Sequence, residues 1–279
     1  MALPDFIGIG AQRTGTTRLY ELLKQHPEIC MAMYRKEVHY FDRYYHKGVG
    51  WYRSLFDHCK GKNAGEITPA YIYDEKCAER IHKLLPDVKL IAILRNPINR
   101  AYSQFKLTIR QKGYQGSFSE FLQDYRDAVE RGLYYKQIMR YLEFFPRDKL
   151  KILLFEDMVV NPYEEMSKIF WFLGVDTSFI PIDMEKKVGA SQIPRFHGLY
   201  VRGKKITSKL HDLDMNWVIE GLKRVGIKRF FSSREQRWVN LSKPTEFEYN
   251  RLKQFYEKDT MELSFLLNRD LKKLWGFED

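Results

Sequence analysis

The sequence predicts an α/β fold, a central parallel sheet flanked by helices. Three continuous apolar runs, at residues 5–10, 89–94 and 151–155, predict buried strands, and a helix signal follows each of them. Runs that are apolar throughout, rather than alternating, belong to strands covered on both faces, as parallel strands are. With 44% hydrophobic and 15% aromatic residues among 279, the chain can bury a large core, which excludes disordered and collagen-like classes.

Each element has its own signal. Asp5-Phe-Ile-Gly-Ile-Gly10 reads as a strand, the residues after it as a glycine-containing turn, and Leu19, Leu22 and Leu23 as the apolar face of a helix ending before His26-Pro27. Lys89-Leu-Ile-Ala-Ile-Leu94 is the second strand, and Asn96-Pro97 opens a helix with a capping residue and a proline at its first position. Ser117-Phe-Ser-Glu120 is a capping box that starts helical segments continuing through Tyr134 to Phe145. Lys151-Ile-Leu-Leu-Phe155 is the third strand, and Asn161-Pro162 starts a helix to Leu173. Residues 175–243 mix glycine, proline and basic clusters, which predicts loops and short helices over one end of the sheet. A second capping box, Thr245-Glu-Phe-Glu248, begins the last long helix. With neither an internal repeat nor a Gly/Ser-rich linker, residues 1–279 read as a single domain with a helical and loop cap from the C-terminal third.

The charge balance is +11, from 47 Lys and Arg against 36 Asp and Glu, and it points to anionic partners without choosing among them. No run approaches the roughly 18 apolar residues of a membrane span, and the N-terminal residues lack the pattern of a signal peptide. A soluble, cytoplasmic protein without a membrane partner is expected. Cys30, Cys59 and Cys77 are odd in number and spaced too widely for a metal clip, so they read as reduced, mostly buried thiols.

Gly10-Ala-Gln-Arg-Thr-Gly15-Thr16-Thr17 has the spacing of a phosphate-binding loop, GxxxxGK[ST], in the required place between a strand and a helix. Backbone N–H groups at such a helix start bind a phosphate; the alternative is a strand-to-helix turn that binds nothing. Thr16 stands where that motif has its lysine, and Arg13 is the only basic residue inside the loop, which argues against nucleotide triphosphates. The second strand ends in the cation Arg95, whereas the third is followed by Glu156-Asp157. That carboxylate pair is either a metal-holding pair, as a small-molecule kinase needs, or a cap on neighbouring loops.

Arg13-Thr-Gly-Thr-Thr17, with Arg95-Asn-Pro-Ile-Asn-Arg-Ala-Tyr-Ser103 some 80 residues later, resembles the two donor motifs of sulfotransferases that use 3′-phosphoadenosine 5′-phosphosulfate (PAPS). The resemblance implies a P-loop-type fold and PAPS as co-substrate, released as adenosine 3′,5′-bisphosphate, with no metal required. It also implies that Gln12, Arg13, Thr14, Gly15, Thr16 and Thr17 hold the 5′-phosphosulfate, and Arg95 and Ser103 the 3′-phosphate. Sulfuryl carries less charge than phosphoryl, so N–H groups and basic side chains can support its transfer.

Lys36-Glu-Val-His-Tyr-Phe-Asp42 is similar to the Lys-Glu-Pro-His-Phe-Phe-Asp stretch of the heparan sulfate branch, with Val38 in place of the proline. By that resemblance Glu37 is the general base toward an acceptor hydroxyl or amine, and Lys36, His39 and Asp42 line the site; His39 is the alternative base. Glu66-Ile-Thr-Pro-Ala-Tyr71 looks like the family's short strand and proline turn beneath the acceptor. The implied acceptor is a saccharide or a small natural product, with no nucleic acid as partner. The rival readings are a P-loop kinase and a polyanion-binding module built on the basic clusters at 202–205 and 223–237. Residues 189–195 and 234–237 are the candidates for a basic loop closing over the donor.

Overall fold

Three of the five strands in the sheet are those the apolar runs predict. The computed structural model describes residues 3–182 and 184, isolated positions between 202 and 218, and residues 244–278. Its strands are β1 (Phe6–Gly10), β2 (Ile29–Met31), β3 (Asn63–Ile67), β4 (Lys89–Leu94) and β5 (Leu150–Leu154). All pairings are parallel, in the order β2-β3-β1-β4-β5. The third predicted strand is shifted by one residue, since Phe155 already opens a helix. Three-residue β2 is too short to leave a pattern.

The helices are α1 (Thr16–Leu23), α2 (Gly48–Ser54), α3 (Cys77–Leu84), α4 (Pro97–Lys112), α5 (Phe118–Asp124), α6 (Arg126–Glu130) and α7 (Tyr134–Leu142). They continue with α8 (Phe155–Val160), α9 (Pro162–Leu173), α10 (Glu246–Leu267) and α11 (Leu271–Trp275). Along β4 the side chains alternate between two cores. Leu90, Ala92 and Leu94 join the larger one with Ile81 of α3, Ala101 of α4 and Ile138 of α7. Ile91 and Ile93 join the other, with Leu19 and Leu22 of α1 and Ile169 of α9. Burial on both faces explains why these strands are apolar at every position.

The cores hold the functional end in place through a few polar ties. The Asn96 side chain accepts the Ile98 and Asn99 N–H groups, both at 3.0 Å, and donates to the Trp275 carbonyl at 2.8 Å, which fastens α11 to the start of α4. Both predicted capping boxes form, and Glu248 of the second also accepts the Ser119 hydroxyl at 2.6 Å, joining α10 to α5. From β1 the chain runs outward to β2, returns to β3 and crosses β1 to reach β4. The crevice at the carboxyl ends of β1 and β4 is therefore the switch point where such sheets bind ligands.

One sequence expectation is corrected. Cys30 and Cys59 form a disulfide with their Cα atoms 5.4 Å apart, and only Cys77 is a free, buried thiol. Twenty-nine residues separate the pair in sequence. Pairing of β2 with β3 sets Cys30 opposite Ala64, and this brings it back to the chain leading into β3.

Candidate active site

The turn after β1 depends on backbone that L side chains rarely adopt. Gly15 has φ 95°, and a Cβ there would stand 3.1 Å from the Phe155 ring, so glycine is needed both for the dihedral and for the close approach. Arg13 also lies in the left-handed region, at φ 71°. Thr14 is fully buried and its hydroxyl donates to the Ala11 carbonyl at 2.7 Å, which closes the turn. The helix that follows starts at Thr16 with its free N–H groups facing the crevice.

Arg13 donates to the Ser103 hydroxyl from Nε at 3.1 Å and from a terminal nitrogen at 3.0 Å. Arg95 donates to the Arg13 carbonyl at 3.3 Å, and its guanidinium lies 4.5 Å from the Phe155 ring centroid. One aromatic ring thus braces both the loop and the second motif. Burial, and then the charges of Arg110, Arg95 and Arg100, push Arg13 down to about 10, with Glu37 opposing. Arg95 is depressed mainly by burial, and Lys106 by burial and by the Arg95 and Arg13 charges. These cations destabilise one another, which is the electrostatic condition of a site awaiting a multiply charged anion.

The Lys36–Asp42 segment sits across from the loop. Lys36 Nζ donates to the Thr17 hydroxyl at 2.8 Å and to Glu37 Oε1 at 3.3 Å. His39 Nε2 is 3.4 Å from Glu37 Oε2, while its Nδ1 is 2.8 Å from Asp42 Oδ2. Burial pushes Glu37 up, but the hydrogen bonds and charges of His39 and Lys36 outweigh it and hold the carboxylate below its ordinary range. Burial likewise lowers His39, and its bonds to Asp42 and Glu37 reverse this to a net rise. Beneath the segment lies Glu66, fully buried and accepting hydroxyl protons from Thr68, Tyr52 and Tyr71.

Every site residue predicted from the sequence lies in this crevice or its walls. Gln12, Asp42 and Arg43 form one side of an adjoining cleft of about 870 Å³, with Lys76, Lys136 and Arg140 on another. Sequence reasoning missed Lys106 and Arg110, although they follow Ser103 on α4 at i+3 and i+7, the spacing of one helix face. Phe155 was missed as well, because nothing in its neighbourhood marks it. Glu156 and Asp157 act as caps on neighbouring chain: Glu156 accepts the Asn96 N–H at 3.0 Å, and Asp157 takes both terminal nitrogens of Arg269, at 2.7 and 2.8 Å. The basic segments at 189–195 and 223–237 lie outside the described residues.

Residues 3–214 match the sulfotransferase domain family. The chain belongs to that family. Heparan sulfate glucosamine 3-O-sulfotransferase 3B1 of Mus musculus is 33% identical over 183 residues, covering 62% of this chain and 46% of its own length. The chain thus spans about half the length of the curated relatives it matches. The crystal structure of a sulfotransferase from Alicyclobacillus acidocaldarius superimposes with a TM-score of 0.71 at 24% identity over 99% of both chains, and it shares the fold. Mouse sulfotransferase SULT7A1, solved in complex with PAP, aligns with a TM-score of 0.53 at 15% identity over 98% of this chain and 87% of its own. Among the described residues, no helix is long and apolar enough to cross a membrane.

Proposed function

We propose that this sulfotransferase-family chain transfers the sulfuryl group of PAPS to a saccharide hydroxyl, with residues 1–279 acting as one domain. The observation that carries this reading is the crowding of Arg13, Arg95 and Lys106 around Ser103, next to a helix N-terminus. A donor with a phosphosulfate at one end of its ribose and a phosphate at the other answers both features at once. In this reading the loop amides from Arg13 to Thr17, with Arg13 itself, hold the 5′-phosphosulfate, and Arg95 and Ser103 hold the 3′-phosphate. Gln12 lies at the junction with the acceptor cleft.

Glu37 is the base. It is ionised at neutral pH, and it takes the acceptor proton as the new oxygen–sulfur bond forms. The bond between sulfur and the bridging phosphate oxygen breaks in line, and its electron pair passes to the 5′-phosphate, where Arg13 and the loop amides stabilise the charge. Lys36, bonded to both Thr17 and Glu37, links the donor loop to the base. His39 is oriented by Asp42 and donates toward Glu37, which fixes the carboxylate. The adjoining polar cleft is large enough for one or two sugar rings. Saccharide acceptors also fit the heparan sulfate relatives named above.

The test is transfer of labelled sulfate from PAPS to an N-sulfated heparan oligosaccharide in the presence of a metal chelator, with ATP as the control donor. Sulfate incorporation without phosphate incorporation is expected; metal-dependent phosphorylation from ATP would favour the kinase reading instead. The cytoplasmic assignment belongs to this same reading, and it requires Cys30 and Cys59 to be thiols in the cell, since reducing compartments hold such pairs open. Thiol trapping at lysis tests it: labelling of both cysteines supports the cytoplasm, and protection of both contradicts it.

A further inference from the structure

Four consecutive backbone amides of the site segment end on two buried hydroxyls. The Val38 N–H donates to the Thr68 hydroxyl at 2.9 Å and the His39 N–H at 3.3 Å. The Tyr40 N–H donates to the Tyr71 hydroxyl at 2.8 Å and the Phe41 N–H at 3.4 Å. Each hydroxyl can accept those bonds only if its own proton points elsewhere, and both protons point to one carboxylate. Thr68 donates to Glu66 Oε2 at 2.6 Å, and Tyr71 donates to the two Glu66 oxygens at 3.2 and 3.4 Å. Tyr52 of α2 supplies a further donor to Oε1 at 2.7 Å but touches no amide of the segment. Glu66, Thr68, Tyr52 and Tyr71 are all fully buried, so no water can substitute for any of these bonds.

We propose that Glu66 is the positioning residue of the catalytic segment: its carboxylate sets the direction of the Thr68 and Tyr71 hydroxyls and so fixes the amides that hold Glu37 and His39 in place. An ionised carboxylate accepts only, which makes every hydroxyl around it a donor. Once protonated, Glu66 carries a proton of its own, and one neighbouring hydroxyl must turn away and release an amide. Burial pushes this carboxyl up to about 7, against the three hydroxyl bonds and the His39 charge. The groups facing it are Tyr52 from α2, Thr68 and Tyr71 from the turn after β3, and His39 from the segment itself; Asp42 acts on Tyr71 in turn. Above pH 7 the accepting form prevails and the segment is locked, and below it the lock weakens. The inference rests on the reading of residues 36–42 as catalytic, but the geometry of the lock does not.

The experiment measures hydrogen exchange at amides 38–41, corrected for intrinsic rate, together with adenosine 3′,5′-bisphosphate affinity and kcat with PAPS and the N-sulfated heparan oligosaccharide. Thr68→Val and Glu66→Gln are expected to speed exchange at these amides at least tenfold and to lower kcat at least tenfold, with nucleotide affinity within twofold of the parent chain. Tyr52→Phe is expected to stay within threefold on every readout. In the parent chain, protection of 38–41 should fall between pH 8 and pH 6, and in Glu66→Gln it should not change over that range. If Glu66→Gln does not fold, Thr68→Val and the pH series on the parent chain decide. Unchanged exchange in Thr68→Val, pH-independent protection in the parent chain, or a Tyr52→Phe effect equal to that of Thr68→Val would each overturn the proposal. A parent chain that binds no bisphosphate and transfers no sulfate fails the functional reading instead, and the exchange results then still decide on Glu66.

Discussion

The donor loop and the Lys36–Asp42 segment face each other across one crevice, yet they manage charge in opposite ways. Around the loop, Arg13, Arg95 and Lys106 depress one another, and only the more distant Glu37 and Glu156 offset them. In the segment, Lys36, Glu37, His39 and Asp42 alternate in sign and neutralise one another through contacts of 2.8 to 3.4 Å. The loop is arranged to receive an anion, and its strain is relieved only by a ligand. The segment is complete without one, and its function is to hold and move a proton.

The sharpest way to break this comparison is to remove the proton acceptor. Glu37→Gln should lower kcat by about 10³-fold while nucleotide affinity is unchanged, as measured by single-turnover sulfate transfer beside calorimetry. Near-parental turnover would move the base to His39. Next, Arg95→Ala should weaken adenosine 3′,5′-bisphosphate by about 1.5–3 kcal/mol, roughly 10- to 150-fold, and leave AMP affinity almost unchanged, because it removes one charge-assisted contact to the 3′-phosphate. A change in kcat alone would mean that Arg95 serves the segment rather than the donor.

Cys30→Ser separates the two regions by stability. β2 leads directly into the segment, so loss of the disulfide should cost about 3.5 kcal/mol by the chain-entropy estimate for a loop of 29 residues, read by denaturant unfolding under oxidising conditions. Nucleotide affinity of the folded variant should be retained, since the donor loop hangs from β1. The smallest effect is expected from Asn96→Ala, about 1 kcal/mol from the lost α4 cap, visible as a modest drop in melting temperature with a slight loss of donor affinity through Ser103.

The same contrast explains what the sequence made legible. The donor loop is contiguous, its glycine is forced by backbone geometry, and its partner Arg95 ends an apolar strand, so spacing alone brought Arg13, Arg95 and Ser103 to one place. Ser103 with Lys106 and Arg110 could have been found by following one face of α4. The segment is different. Its chemistry is visible in residues 36–42, but what fixes it is Glu66, Thr68 and Tyr71, some thirty residues away and joined to it only once β3 lies beside β1. The disulfide eluded the sequence for the same reason, since β2 is too short to predict and it alone brings Cys30 to Cys59. Local rules reveal groups that share a turn or a helix face, and they miss contacts that depend on strand order.

The account stands on two separate anion sites for one donor, and calorimetry of adenosine 3′,5′-bisphosphate against AMP tests that most directly. The account predicts that the bisphosphate binds at least tenfold more tightly, with the advantage lost in Arg95→Ala; equal affinity of the parent chain for the two nucleotides would contradict it.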